Sequence, residues 1–205
     1  MFDLPPPDPA IEFNLASTGM SKGLAQTDGP QALVRGELAF GPVYVGAYAK
    51  NVDSSSAEGE AAALIGFRTT QAGLDLGASA GWKRAVDPAP GSDADALEVT
   101  AFASRRFGPI TPRLSVTWSP DDLGSTTRSI FGELGASYRL GHSISASAAA
   151  GRRERGGGPD YSAWNAGMTW TPIEHVALDL RYYDTDGGSD HPYRARLVAS
   201  GRLRF

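Results

Sequence analysis

Three histidines are the residues of this chain best suited to acid–base chemistry. A serine hydrolase needs a histidine beside a serine and an acid, so that the imidazole can take the proton of the serine hydroxyl. His142 and His175 fall in short predicted turns, and His191 falls in a long polar segment. None lies on a predicted strand face beside a serine. We therefore interpret all three as turn or loop histidines and expect no catalytic residues.

Two charged segments are candidates for ion binding. The run Asp184–Asp190 carries carboxylates but lacks the spacing and final glutamate of an EF-hand. A solvated loop is the simpler interpretation, and divalent ions bridging it to lipopolysaccharide are the alternative. The second segment is basic and carries Arg152, Arg153 and Arg155. It can be interpreted as an external loop or as a contact with lipid phosphates. The chain has no cysteine and no zinc, phosphate-loop or dinucleotide motif, so we expect no metal and no cofactor.

Composition narrows the class of protein. A net charge of -4 over 205 residues argues against a strongly basic nucleic-acid binder. The mean hydropathy of -0.25 resembles that of a soluble protein, and no segment approaches the roughly 18 consecutive apolar residues of a spanning helix. A membrane β-barrel has the same low hydropathy, because only every second residue faces lipid.

The elements that must position the charged residues are strands, because apolar residues recur with a period of two. Within Ala72–Lys83 one face carries Leu74, Leu76, Ala78, Ala80 and Trp82, and the other carries Asp75, Gly77, Ser79, Gly81 and Lys83. Similar segments recur along the chain. They predict an all-β, antiparallel up-and-down transmembrane barrel of about twelve strands of roughly ten residues each, the length that a tilted membrane strand needs.

The connections alternate between short and long. The short ones are predicted at Gly41-Pro42, Thr69–Gln71, Phe107–Pro109, Gly141-His142 and Pro172–Glu174, and the long polar ones at Gly19–Pro30, Asn51–Gly59, Arg84–Asp95, Pro120–Thr126, Arg153–Pro159 and Thr185–Pro192. Short periplasmic turns and long extracellular loops are typical of outer-membrane barrels, and an even strand number places both termini in the periplasm. We predict an N-terminal periplasmic extension over residues 1–8 and a single barrel over residues 9–205.

The polar face of these strands predicts a charged lumen. Its acids and bases mix in the first half, whereas arginines dominate the last strands. The predicted lumen residues are Glu12, Arg35, Glu37, Lys50, Glu60, Arg68, Asp75, Lys83, Glu98, Arg113, Glu133, Arg139, Asp179, Arg181, Arg196, Arg202 and Arg204. We expect a basic wall facing an acidic one across a narrow aqueous path, with a slight preference for small anions. The alternative is that these charges pair and fill the lumen.

We expect the aromatic residues to form two interfacial girdles, where amphipathic rings are favoured. Near the long loops lie Trp82, Trp118, Trp164 and Tyr182, and near the short turns lie Phe40, Tyr138, Trp170 and Phe205. Phe205 ends the chain on the apolar phase of the last strand, which resembles the signal that outer-membrane proteins present to the barrel insertion machinery. The chain opens Met1-Phe2-Asp3-Leu4 without a basic, apolar leader, so we expect a mature exported form with an added start methionine.

The strands of a soluble β-sandwich or lipocalin-like barrel also alternate between apolar and polar residues. Its buried face would have to take up Glu37, Asp75 and Glu98, and burying such charges in a dry core is very costly. We therefore prefer the membrane barrel.

One segment resembles a known family. Lys22-Gly23-Leu24-Ala25-Gln26-Thr27-Asp28-Gly29-Pro30-Gln31-Ala32, followed by Tyr44–Tyr48 and Asn51–Asp53, is similar to the conserved stretches of the TorF family of porins, with Lys22 where that family has arginine. The match covers mainly residues 11 to 53. It implies a proteobacterial outer-membrane barrel and no particular substrate.

Two functions remain open from the sequence. The first is a porin-like channel for passive diffusion of small polar solutes or ions, located in the bacterial outer membrane and in contact with its lipid and lipopolysaccharide. The second is a closed structural or adhesion barrel that acts through its extracellular loops.

Overall fold

Twelve antiparallel strands close into a single barrel in the computed structural model, which describes residues 5–54 and 57–205. Numbered in chain order, and with two short strands outside the barrel included, the strands are β1 (Asp8–Ala16), β2 (Met20–Ser21), β3 (Leu24–Ala25), β4 (Gln31–Phe40), β5 (Val43–Ser54), β6 (Ala57–Gln71), β7 (Leu74–Val86), β8 (Asp95–Arg105), β9 (Ile110–Ser119), β10 (Ser129–Arg139), β11 (Ile144–Arg155), β12 (Tyr161–Ile173), β13 (Val176–Thr185) and β14 (Arg196–Arg204). The short strands β2 and β3 pair only with each other, so β1 and β4 are neighbours in the barrel. The predicted barrel of about twelve up-and-down strands is confirmed.

The two faces of the wall differ as the alternation predicts. In β1, Ile11, Phe13 and Leu15 are exposed on the outside, whereas Glu12 and Asn14 are partly buried on the inside. The same pattern holds around the barrel, and the outer surface is an apolar band of exposed leucine, isoleucine, valine and aromatic side chains. Such a surface suits contact with lipid. Within residues 5–54 and 57–205 no helix is long and apolar enough to cross a membrane.

The barrel has a turn rim and a loop rim. The turn rim carries the connections at residues 41–42, 72–73, 106–109, 140–143 and 174–175, and the loop rim carries the segments 17–30, 87–94, 120–128, 156–160 and 186–195. The turn predicted at Thr69–Gln71 is wrong, because β6 runs on to Gln71. The chain reverses at Ala72 and Gly73, whose φ angles of 51° and 74° suit a two-residue hairpin.

The loop predicted at Asn51–Gly59 is also mostly strand. β5 continues to Ser54 and β6 begins at Ala57. Val52 and Ala57 pack with Ala85 into a small buried cluster against Leu123. These contacts extend the wall beyond the length that the alternating pattern required.

β1 and β14 close the barrel at the turn rim. The backbone N–H of Ile11 donates to the carbonyl of Phe205, and the N–H of Phe205 donates to the carbonyl of Ile11, both at 2.9 Å. The predicted periplasmic extension, residues 1–8, overlaps the barrel at Asp8, where β1 begins. Its first four residues lie outside the described part of the chain.

Candidate functional site

The inward face of the wall carries the charged residues that the sequence assigned to the lumen. Each predicted lumen residue lies on the phase opposite to the exposed apolar residues of its strand. The same face carries residues that we did not assign to the lumen, namely Tyr48, Phe102, Ser129, Tyr161 and Tyr183. It also carries Arg153, which the sequence placed in an external loop but which lies in β11 and donates to Asp122. The inward face is therefore polar but also contains aromatic rings.

A hairpin from the loop rim enters the lumen. We call residues 17–30, which include β2 and β3, the plug hairpin. Internally, the Thr27 hydroxyl accepts a hydrogen bond from the N–H of Gly19 (2.7 Å) and donates to the carbonyl of Gly29 (2.6 Å). These bonds fix the base of the hairpin, as expected for a threonine that satisfies backbone groups of a turn.

The tip of the plug hairpin is held against β12. The Tyr161 hydroxyl donates to the carbonyl of Lys22 at 2.7 Å, and Leu24 packs against Tyr161 and Ala163. Gly23 has a φ of 82°, and a Cβ at this position would lie 2.2 Å from the Cβ of Ala163. Glycine is required here both by the backbone conformation and by the approach of the wall.

Five charged side chains meet at the plug tip, and we call them the Asp122 cluster: Lys22, Lys83, Glu98, Asp122 and Arg153. The Lys22 ammonium lies 2.7 Å from Glu98 and 2.9 Å from Asp122, and the Lys83 ammonium lies 3.0 Å and 3.4 Å from the same two carboxylates. Arg153 donates to Asp122 at 2.8 Å. The cluster joins the plug hairpin, the 120–128 loop and three strands.

Asp122 is the centre of that cluster. Its side chain is only 6% exposed, and it also accepts a hydrogen bond from the Ser129 hydroxyl at 3.1 Å. Burial by itself would raise the pKa of the Asp122 carboxyl, but the positive charges of Lys83, Lys22 and Arg153 outweigh burial and hold that pKa well below its usual range. Asp122 is therefore ionised at every physiological pH.

A second set of bonds ties the plug hairpin to β5 and β6. The Lys50 ammonium lies 3.2 Å from Glu60 and donates to the side-chain oxygen of Gln26 at 2.8 Å. The Tyr48 hydroxyl donates to Glu60 at 2.6 Å. Gln26 belongs to the plug hairpin, so the plug is anchored on both sides of the lumen.

The plug hairpin lies between two cavities of the barrel interior. The turn-side cavity has a volume of about 670 Å³ and reaches from the plug to Ser104 and Thr111 near the turn rim. The loop-side cavity has a volume of about 310 Å³ and lies between the plug hairpin and the 120–128 loop. Ser21 and Lys22 line both cavities. The plug tip is thus the partition between them.

Ion pairs also fix side chains of the wall on the turn side of the plug hairpin. Glu37 lies 2.6 Å from Arg68 and 3.5 Å from Arg35. Arg181 donates to Asp179 (3.0 and 3.1 Å), to Asn165 (2.8 Å) and to the Ser147 hydroxyl (2.8 Å). Its guanidinium is fully engaged by the wall.

The expected basic wall facing an acidic wall is met in part. In the closed order of twelve strands, β4, β7 and β8 with Glu37, Asp75 and Glu98 lie six places from β10, β13 and β14 with Arg139, Arg181 and Arg196. The other expected residues do not face each other. Arg113 on β9 and Glu133 on β10 lie on neighbouring strands. Glu98 is at the plug tip, and Asp75 accepts a hydrogen bond from Thr70 at 2.7 Å near the turn rim. Alternation fixes which residues point inward, but the position around the barrel depends on strand order and register.

Near the loop rim, Arg196 is buried, 3.7 Å from Asp28 of the plug hairpin. Arg139, Arg202 and Arg204 remain exposed at the turn rim, and Glu12 lies with Arg204 in a small cavity of about 150 Å³.

The histidines lie apart from one another. His142 is exposed in a turn, His175 stacks on Phe205 with ring centroids 5.7 Å apart, and His191 lies 3.2 Å from Asp28. The acidic run is occupied by backbone contacts, since Asp186 accepts a hydrogen bond from the N–H of Ser162 at 2.6 Å. Among the described residues no group of three or more histidine or acidic residues could hold a metal ion.

The residues assigned to the girdles are on the outer phase of their strands. Trp82, Trp118, Trp164 and Tyr182 lie toward the loop rim, and Tyr138, Trp170 and Phe205 toward the turn rim, all exposed. Phe40, at the end of β4, is half-buried.

Comparison with known proteins gives likenesses in fold. No family model matches the chain, and no curated protein matches it in sequence, so the resemblance to the TorF family stays a prediction. The KdgM porin in complex with disordered oligogalacturonate is 6% identical, with 96% of this chain and 99% of that chain covered and a TM-score of 0.66. The NanC porin is 4% identical, with 96% and 98% covered and a TM-score of 0.61. A chain from a study of in-meso crystallisation of membrane proteins is 15% identical, with 96% and 83% covered and a TM-score of 0.66. The chain has the fold of the KdgM and NanC porins.

Proposed function

We propose that this protein is an outer-membrane channel for passive diffusion of small polar solutes or ions. The observation that carries this proposal is the turn-side cavity, about 670 Å³ of space inside a closed barrel, lined by hydroxyl and charged side chains. A path for polar solutes requires a polar cavity of this kind. The fold shared with the KdgM and NanC porins supports the same function.

The outer surface supports location in the bacterial outer membrane. The apolar band would contact lipid, and the exposed Arg152 at the loop rim would lie at the height of lipopolysaccharide phosphates. Phe205 lies exposed at the end of the closing strand pair, where the insertion machinery could bind it. In this orientation the turn rim faces the periplasm.

The distribution of charge supports a weak preference for anions. Within the described chain Arg139, Arg202 and Arg204 have no carboxylate partner, and all three are exposed at the turn rim. Unpaired bases at a pore mouth raise the local concentration of anions.

The plug hairpin favours the second candidate function, a closed structural or adhesion barrel. The Asp122 cluster neutralises most charges at the plug tip and separates the two cavities. If the plug never moves, the loops at the loop rim would be the functional surface.

Single-channel conductance of the refolded protein in a planar bilayer, with a salt gradient, distinguishes these functions. We expect discrete steps and a reversal potential that favours anions. Steps that favour cations would keep the channel and refute the role of the turn-rim arginines. A silent bilayer, with folding and insertion verified by heat-dependent gel mobility, would refute the channel and support the closed barrel.

A further inference from the structure

Arg113 and Glu133 are diagonal neighbours on the wall of the turn-side cavity. Arg113 on β9 lies opposite Gly135 of β10, and Glu133 of β10 lies opposite Ser115 of β9. Residues in this relation have Cα atoms about 7–8 Å apart and point to the same side of the sheet. Both side chains line the cavity.

The other charged groups around this cavity already have partners. Lys22 and Glu98 form an ion pair at 2.7 Å, and Arg181 is engaged by Asp179, Asn165 and Ser147. In the part of the chain that the structure describes, Arg113 and Glu133 form no hydrogen bond and no ion pair. The cavity therefore presents one free positive and one free negative group side by side.

An aromatic ring contacts one of the two groups, on the side away from the other. The guanidinium of Arg113 lies over the ring of Phe102, 4.2 Å from its centroid. The ring in turn lies against Gly77, where a Cβ would come within 2.3 Å of it. A cation over an aromatic face is attracted by the ring, so Phe102 draws Arg113 toward β8 and away from Glu133.

We propose that this pair is a binding site for small zwitterions, solutes of the free amino acid class whose carboxylate and ammonium groups are separated by one or two carbon atoms. The proposal rests on the channel function and names its preferred solute. The solute carboxylate would accept from Arg113, and its ammonium would donate to Glu133. A simple anion would be repelled by Glu133 and a simple cation by Arg113, whereas a zwitterion satisfies both.

Osmotic swelling of proteoliposomes tests this preference with L-alanine and lactamide, which are isomers of equal mass. Only alanine carries both charges. We expect alanine to enter about threefold to fivefold faster, the ratio that a solvent-accessible ion pair provides. The variants Arg113→Gln and Glu133→Gln should each bring the ratio to about one. The matched controls Arg105→Gln and Glu154→Gln, on the outer face, should leave the ratio unchanged.

The variant Phe102→Leu provides a second test. Without the ring, Arg113 is free to pair with Glu133, and the alanine preference should fall although both charges remain. Equal swelling rates in the wild-type protein would overturn the zwitterion site and keep the channel. No swelling with either solute would overturn the channel. Saturation-transfer NMR of alanine with the detergent-solubilised protein would then test binding at this site directly. A signal that Arg113→Gln abolishes would support the site, and the absence of a signal would refute it.

Discussion

The two halves of the lumen differ in how their charged side chains are paired. On the loop side, Lys22, Lys83, Glu98 and Arg153 converge on or around the buried Asp122, where the plug hairpin and the 120–128 loop meet. On the turn side, Arg113 and Glu133 remain unpaired beside a cavity lined by hydroxyl groups. The same alternating strands build both halves, so the difference comes from the loops that enter from one rim only. The plug hairpin and the proposed zwitterion site thus lie in different halves of the lumen.

The ion pairs of the Asp122 cluster fix the position of the plug tip more than they add to the free energy of unfolding. Removing several charges from water costs about as much as their mutual attraction returns, whereas removing one partner leaves the others buried and uncompensated. The Asp122 cluster therefore specifies where the plug tip lies. On the turn side, Glu37 and Arg181 form ion pairs within the wall and hold no loop, and Arg113 and Glu133 form no ion pair with any described residue.

The largest expected effect comes from Asp122→Asn, which removes the central charge and leaves three cations with one remaining carboxylate. We expect the plug hairpin to lose about 3 kcal/mol of attachment and to leave the lumen for a substantial part of the time. Single-channel conductance should rise. Trypsin should cleave after Lys22, which is only 11% exposed and therefore protected in the closed arrangement, and the fragment Met1–Lys22 should then separate on a denaturing gel.

Asp121→Asn is the matched control, since Asp121 is exposed and its side chain makes no contact with the plug within the described chain. It should resemble the wild-type protein in both measurements. Equal behaviour of the two variants would show that the cluster does not hold the plug, and the contrast between the two halves would lose its physical basis.

A smaller effect is expected from Gly23→Ala. The new Cβ would meet the Cβ of Ala163, and the φ of 82° disfavours a side chain, so we expect a cost of about 1–3 kcal/mol. The tip should detach from β12 without loss of any charge, which separates steric fit from ion pairing. Gly29→Ala is the control within the same hairpin, because a Cβ there meets no described atom within 4 Å. Tryptic release of Met1–Lys22 from the first variant only is the expected result.

The smallest effect concerns pH. The pKa of Asp122 is held far below its usual value, so its contribution is complete above about pH 4, the range of an unfolded aspartate, and is lost only as the pH falls through the lower folded value. Conductance and tryptic release should therefore be constant between pH 7 and pH 5. Plug opening within that interval would contradict the assignment of Asp122 as the holding group.

The sequence predicted the inward and outward faces of the barrel wall better than the arrangement of residues inside the lumen. Period-two alternation is a local rule, so the inward phase of Lys83, Glu98 and Arg113 followed from their neighbours alone. Which strands face each other depends on closure and register, and for that reason the sequence did not show that Arg113 and Glu133 are neighbours instead of facing each other. The plug hairpin was predicted as a polar external loop, because the contacts that draw it inward come from β7, β8, β12 and a distant loop. Leu24, an apolar residue in a polar segment, was the one local signal of burial there.

The plug hairpin follows β1 directly, but its partners come much later in the chain. Lys22 and Asp122 are 100 residues apart, and Lys22 and Tyr161 are 139 apart. Long loops add little to the entropic cost of such contacts, yet the contacts cannot form before the later strands are in place. During biogenesis the lumen would therefore stay unobstructed until β12 joins the wall, and the seal would be completed at nearly the same step as the barrel.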